Sequence, residues 1–395
     1  MNVLHTFYQY LPNTENWAYR MISNLPEDIQ NIIAAEKFLK TNFYNPDFFY
    51  ISFPLNEIET TNKTLKTKII NRIVRNIREK LFIPYVSWFI KNEKIKVDIV
   101  HSHFGIFGWK YRELAKKLNA KHVASFYGHD YEKIPFVQPI WKKRYQELFR
   151  EADVFLCEGK HGAKILEKMG CPSKKIIINR LGVEIEKIPF FKREKKKGEL
   201  KLVQIATFRK KKGQMYTVKA FENALKTCPN LTLTLVGNGE ERKNIEQYIY
   251  KKGLRNKIQI IEKIDFSQLY TFLKDYHVFI HPSCYTEDRD CEGGAPVVIL
   301  DAQATGMPII STTHCDIPEE VIHEKTGFLA PEKDIQSLSK YIEIFYNMEQ
   351  ETYNRFSHSA REHIEKFYNI KENAKNLANI YKSLLKENGK TQRKN

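Results

Sequence analysis

The sequence predicts two doubly wound α/β domains in series, on three observations. At 395 residues the chain is longer than a single hydrophobic core usually fills. Short runs rich in Val, Ile and Phe alternate with helical patterns, as in βαβ units that build parallel sheets covered on both faces. That alternation runs twice, and a proline- and lysine-rich stretch, EIEKIPFFKREKKKGEL (184–200), separates the two passages. The domains expected are residues 1–190 and 199–368.

In the first half the expected strands are 3–7, 48–52, 99–102, 122–126, 154–156 and 176–179. The opening residues carry no basic segment leading into an apolar one, so export is not expected. After the linker the strands are 202–206, 231–236, 258–261, 278–281 and 309–311, with helices at 214–227, 240–252 and 267–275 between them. The closing segment 356–387 is strongly helical, and the lysine-rich tail beyond Glu387 is expected to fray. Doubly wound sheets bind ligands outside the carboxyl ends of their strands, so the chemistry is expected in loops that follow strands, in a cleft between the domains.

Composition excludes several classes. With 42% apolar and 28% charged residues the chain is an ordinary globular one, and no window approaches the ~18 apolar residues of a membrane span. Six cysteines (157, 171, 228, 284, 291, 315) show no paired metal-type spacing and read as reduced thiols of a cytoplasmic protein, with Cys284 and Cys291 as ordinary loop residues. The net charge is +17, and residues 1–200 carry 35 Lys and Arg against 22 Asp and Glu. A basic first half points to a face drawn to an anionic partner.

Three loops carry chemistry. TFRKKKGQ places Arg209 to Lys212 ahead of Gly213 and a helix start, where cations, free amides and the helix dipole together suit an anion such as a diphosphate. A solvated basic turn is the alternative. GNGEER follows the next strand, and Gly237 and Gly239 permit a tight turn and close backbone approach, although the run matches neither a P-loop nor GxGxxG. The third, HPSCYTEDRDCEGGAPVVILDAQATGMPII, places Glu292 in an acidic loop and Asp301 in the helix behind it. Its carboxylates suit sugar hydroxyls and a ribose diol, and an acidic loop capping a helix is the alternative.

This run resembles the signature of the retaining glycosyltransferases of family four, which have the GT-B fold of two Rossmann-like domains facing a cleft. The resemblance extends over VHSHFG (100–105), SFYGHD (125–130), RLGVE (180–184), FRKKKG (208–213), LVGNGEER (235–242) and the segment 281–311, and is similar to colanic-acid and other exopolysaccharide transferases. It implies a last helix, about 370–387, that crosses back to complete the first domain. The family's two acidic residues stand eight apart; Asp301 stands nine after Glu292, an offset that the Gly293-Gly294 pair absorbs. Arg209 and Lys212 stand three apart where the family's basic pair stands about five apart. The family's first-domain histidine falls on Tyr127, leaving His129 and His103 as the histidines to weigh.

The resemblance implies a nucleotide-diphosphate sugar as donor, a saccharide as acceptor, no cofactor and no metal, although Asp288 and Asp290 form a DxD by letter. Arg209 and Lys212 would neutralise the leaving diphosphate, Glu292 would position the sugar, and His129 completes the catalytic set. Gly237, Asn238, Gly239, Gly293, Gly294, Ala295, Pro296 and Asp301 would bind the donor. His103, Tyr127 and Asp130 are expected on the acceptor side of the cleft.

From 63 to 80 there are seven Lys and Arg against one Glu, interleaved with Ile69, Ile73, Ile77 and Leu81 at helical spacing. Residues 63–89 therefore read either as a helix resting on an anionic inner-membrane face near a lipid-linked acceptor, or as one packing its apolar face on its own domain. A nucleotide-sugar epimerase of the same architecture and a catalytically inert sugar-nucleotide binder are rival readings. Nucleic acid is not expected as a partner, for no helix-turn-helix, RRM or zinc pattern occurs.

Overall fold

The computed structural model describes residues 1–11, 16–39, 44–55 and 64–391. The first sheet has seven parallel strands: β1 (Asn2–Tyr10), β2 (Gln30–Phe38), β3 (Phe49–Ser52), β4 (Ile99–His103), β5 (Lys121–Ser125), β6 (Val154–Cys157) and β7 (Ile176–Ile178). They stand in the order β3-β2-β1-β4-β5-β6-β7. The second has six: β8 (Leu200–Ile205), β9 (Leu231–Val236), β10 (Ile258–Ile261), β11 (Val278–His281), β12 (Ile309–Thr312) and β13 (Gly327–Ala330), ordered β10-β9-β8-β11-β12-β13. Both orders reverse direction beside their first strand, at β1/β4 and β8/β11, where doubly wound sheets open a crevice for ligands. β4, β6, β12 and β13 are buried at every residue, and in β6 (VFLC) and β13 (GFLA) that burial goes with an apolar run without alternation.

Two strands, β2 and β13, lie outside the sequence expectation. β2 reads QNIIAAEKF, where small Ala34 and Ala35 and the helix-favouring Glu36-Lys37 hide a strand that exists because it pairs with β1 and β3. β13 has only four residues.

The stretch 184–200 is packed, not a solvated linker. Arg193 is buried and donates to the carbonyls of Tyr276 and Thr305, each at 2.8 Å, and to the Thr305 hydroxyl. Lys195 donates to Tyr346 O and Met348 O at the carboxyl end of the helix Ile335–Asn347, where a cation meets unpaired carbonyls and the negative end of the dipole.

The last helix, Ile370–Thr391, leaves the second domain and returns to the first. Ile370, Leu377, Tyr381 and Leu384 join the core of Val3, Phe7 and Ile33. A bridge between Val183 and Asn369 holds the crossing point. The helix continues past Glu387 to Thr391 where fraying was expected; residues 392–395 lie outside the described residues.

The helix Leu65–Asn92 turns the face opposite its isoleucines inward. Val74, Arg78, Phe82, Val86 and Ile90 are buried, and Arg78 meets the buried Glu36 carboxylate of β2 at 3.6 Å. Ile69, Ile73, Ile77 and Leu81 are left on the surface, so packing of that stripe on its own domain is overturned. Lys63 lies outside the described residues.

Candidate active site

The loop after β8 builds the cationic wall. Arg209 is extended, residues Lys210–Lys212 make one 3-10 turn, and Gly213 takes φ +70°, where a side chain would strike Pro282 O. The helix Gln214–Ala224 follows at once. The turn sends Lys212 inward and leaves Arg209 half-exposed. Spacing in sequence therefore matters less than the turn, which sets two cations on one wall.

Each cation already faces a carboxylate from the acidic loop. Lys212 Nζ donates to Glu292 Oε2 at 2.7 Å, and the other Glu292 oxygen accepts the Ser283 hydroxyl at 2.8 Å, with His281 Nε2 at 3.7 Å. Burial alone would raise the Glu292 carboxyl, but Lys212, His281 and Lys211 hold it well below the usual carboxylate range. Arg209 donates to Asp290 at 2.7 Å, and Lys211 donates to Asp290 and to Cys291 O. Asp288, the other member of the DxD pair by letter, meets Lys133 at 2.7 Å, and the same Lys133 amine lies 3.9 Å from Asp290, so the two carboxylates share a lysine.

A cleft cavity of ≈ 420 Å³ lies between the two sheets' carboxyl ends. Trp17, Phe104, Tyr127 and His129 line it from the first domain; Arg209, Lys212, Glu292, Ala295 and Pro296 line it from the second. A larger cavity of ≈ 650 Å³ opens on the outer side of the Arg209 turn, but Lys212 and Glu292 do not line it. Cations, carboxylates and aromatic rings line both cavities, and the ≈ 420 Å³ cavity is the one that holds Lys212 and Glu292.

Several expected residues sit elsewhere. The amides of Gly237 and Gly239 are taken, by Ile261 O and by the Asn238 side chain, and a Cβ at either glycine would strike Ala206 or Phe208 backbone. These glycines let the β9 loop lie on the β8 loop; they do not line the cavity. Asn238 bonds Glu262. Asp130 is fully buried and accepts the Tyr127 N–H at 3.0 Å. Burial pushes its carboxyl up to about 7 against the amides of Tyr127, Gly105 and Ile106, so it anchors the first turn of the helix Gly105–Leu118 instead of facing an acceptor. His103 is buried behind Tyr127, stacked on Phe7 and bonded to His5 Nδ1 at 3.2 Å; only the Tyr127 ring faces the cleft.

Asp301 is also covered. Its Oδ1 accepts the Tyr270 hydroxyl at 3.0 Å and lies 3.6 Å from Arg20 Nη1, which comes from the first domain. Gly293 meets Gly128 backbone to backbone, and a Cβ at Gly294 would overlap the Glu158 carboxylate. Here the glycines let two domains touch.

Ser283, His281, Glu158 and Trp17 complete the constellation without having been expected there, and Lys211, read only as one cation of the basic turn, joins them. Each stands at a strand end or beside a motif residue, yet nothing in single-letter spacing separates a cavity-facing serine or glutamate from a solvated one. Burial and the Asp316 and Glu292 carboxylates push Glu158 up to about 8.

Comparison with known proteins follows the same division. Residues 13–187 match the model described as Glycosyltransferase Family 4, and residues 186–363 match that of Glycosyl transferases group 1. The two models together run from residue 13 to residue 363, one per domain. The amylovoran biosynthesis glycosyltransferase AmsK of Erwinia amylovora is 30% identical over 264 residues, 66% of this chain and 64% of AmsK, just under two thirds of that relative's length. The putative colanic acid biosynthesis glycosyltransferase WcaL of Escherichia coli is 28% identical, over 73% of this chain and 71% of its own. Among solved structures, sucrose-phosphate synthase from Thermosynechococcus elongatus superposes with TM-score 0.75 at 15% identity over 98% of this chain and 99% of its own. Anabaena HepE, solved with UDP-glucose, superposes with TM-score 0.74 at 15% identity over 97% and 100%. The chain has the fold of these structures, two Rossmann-like domains of the GT-B type, with both sheets included.

Proposed function

We propose that the protein is a retaining glycosyltransferase of exopolysaccharide assembly, moving a sugar from a nucleotide-diphosphate donor to a lipid-linked saccharide. The observation that carries this is the Lys212–Glu292 pair at the floor of the interdomain cavity, with Arg209 beside it. The named relatives in amylovoran and colanic acid synthesis support the polysaccharide context, and the HepE complex supports a nucleotide sugar as the donor class.

In this reading the donor's diphosphate takes Lys212 and Arg209 over from Glu292 and Asp290. The anomeric C–O bond then breaks, and negative charge grows on the departing phosphate, where fixed cations stabilise it without reorganising. No divalent metal is needed for that charge. The acceptor hydroxyl attacks from the face the phosphate leaves, and its proton passes to a phosphate oxygen. Glu292, freed from Lys212, holds sugar hydroxyls, while His129 and Tyr127 contact the sugar or acceptor from the opposite wall. Asp301 takes the ribose once Arg20 has withdrawn, which ties donor entry to opening of the cleft.

The acceptor side faces a membrane. Among the described residues no helix is long and apolar enough to cross one. Ile69 and Ile73 are each 51% exposed and Trp88 59%, in one stripe with exposed Lys66, Lys68, Arg72, Arg75 and Lys80 around it. An apolar ridge flanked by cations suits the interface of an anionic leaflet, and we place the enzyme on the cytoplasmic face of the inner membrane. Release of nucleoside diphosphate from a panel of nucleotide sugars tests the reaction: a hydrolysable donor supports the reading, and no turnover of any donor with lipid-linked acceptor extracts refutes it.

A further inference from the structure

We propose that Cys291, His314 and Cys315, joined across the domain interface by His161, form a binding site for a soft divalent cation of the zinc class. The Cys291 and Cys315 sulfurs and a ring nitrogen of His314 all lie within 4.8 Å of one another. Zinc sits about 2.3 Å from sulfur and about 2.0 Å from nitrogen, which puts tetrahedral ligand atoms roughly 3.3–3.8 Å apart. Cys315 Sγ and His314 Nε2 stand 3.2 Å apart, a few tenths of an ångström inside the edge of such a tetrahedron.

The surroundings fit a metal better than a plain thiol cluster. His314 Nδ1 is paired with the Glu332 carboxylate at 2.7 Å, which orients the ring and leaves Nε2 toward the sulfurs. His161 has its Nε2 against Glu132 at 2.9 Å and the Tyr285 hydroxyl at 3.2 Å, and that hydroxyl in turn meets Cys315 Sγ at 3.7 Å. Both histidines are thus backed by a carboxylate, the arrangement that orients metal-ligating imidazoles. Two thiols and the His314 imidazole already lie together, and in this proposal His161, across the interface, closes on the ion as the fourth ligand of a structural site.

The site lies one residue from Glu292. The Glu292 N–H points to the same His314 Nε2 at 3.1 Å, so a cation taking that lone pair shifts the Glu292 amide. His161 follows the first domain's β6 while the other three ligands belong to the second domain, so the ion also ties the halves together. The motif is invisible by spacing because Cys291 and Cys315 are separated by a helix and a strand, and His161 is in another domain.

Purified full-length protein, kept reduced, is assayed for zinc by elemental analysis, then stripped and titrated with cobalt(II) alone. We expect about one zinc per chain and a cobalt complex with tetrahedral visible bands and sulfur-to-cobalt charge transfer. Cys291→Ser and Cys315→Ser should lower zinc content at least tenfold, while Cys284→Ser retains it. The cobalt spectrum of the unsubstituted protein reads thiolate ligation even where a variant fails to fold. Absence of zinc with no cobalt charge transfer overturns the proposal, as does zinc content unchanged in both serine variants, or isolation with a Cys291–Cys315 disulfide and no metal.

Discussion

Replacing Glu292 with glutamine separates the roles of the buried pair. The amide keeps the shape of the carboxylate and still accepts the Ser283 hydroxyl, but it removes the charge that faces Lys212 at 2.7 Å. The two side chains are 17% and 6% exposed, so the pair is largely desolvated while Lys212 keeps some water. Loss of the counter-charge should therefore cost about 1–3 kcal/mol of stability, short of the ~3–5 kcal/mol of a fully buried pair left half-broken. The effect on rate should be larger, about 10²–10³-fold in turnover or ~3–4 kcal/mol, the scale for removing one preorganised polar group at a transition state. Binding of nucleoside diphosphate should hold or tighten, because Lys212 no longer has a protein carboxylate competing with the phosphate. Calorimetric titration with nucleoside diphosphate and a coupled assay of its release read both quantities. Normal turnover, or a loss of nucleotide affinity in step with turnover, would refute the assignment.

Other perturbations follow from the same geometry. Arg209→Ala should weaken donor binding and lower turnover ~10-fold or more, with little loss of stability since its side chain is 47% exposed; kcat and KM on the variant check it. Gly293→Ala forces a Cβ to within 1.8 Å of the Gly128 Cα, at φ +84°. It should hold the cleft open, with turnover falling ~10-fold or more at near-normal melting temperature, seen as a larger radius of gyration by solution scattering. Exchanging Ile69, Ile73 and Ile77 together for Ser should abolish salt-sensitive flotation with anionic liposomes while donor hydrolysis in solution persists; unchanged flotation refutes the membrane face. Glu158 is pushed up to about 8 by burial and by Asp316 and Glu292, so the folded state holds a proton that the unfolded chain releases near its ordinary carboxyl pKa. Its stabilising contribution is complete at acid pH and is lost as pH rises toward and through about 8. Glu158→Gln should accordingly flatten the fall in melting temperature between pH 6 and pH 8.5 (roughly the upper part of that window), and an unchanged slope would contradict the shift.

Much of the architecture could be read from composition because a parallel sheet buried on both faces favours apolar runs, and such runs are visible in β6 and β11, while β9 (LTLTLV) shows as alternation. β2 escaped because Ala34, Ala35 and Glu36 carry no strand preference of their own and acquire one only from neighbours on either side. The lysines of 184–200 looked solvated because sequence counts charge without showing helix ends for Arg193 and Lys195 to cap. At the site, Lys212 and Glu292 were legible from local spacing, and they meet. Asp301, Asp130 and His103 stand at the expected strand or helix ends, but the side each faces was not legible, Asp130 and His103 lying behind the cleft wall and Asp301 under Arg20. Which side is decided by Arg20, the Gly105–Leu118 helix and His5, partners far away in the chain.

The central claim is that charge on the leaving diphosphate is met by fixed cations while the acceptor attacks from the same face. Proton NMR of the product formed from an α-linked nucleotide sugar, with no divalent cation added, tests it most directly. The account predicts an α-linked product whose rate is unchanged by added magnesium or manganese. A β-linked product, or transfer seen only with the added cation, would contradict it.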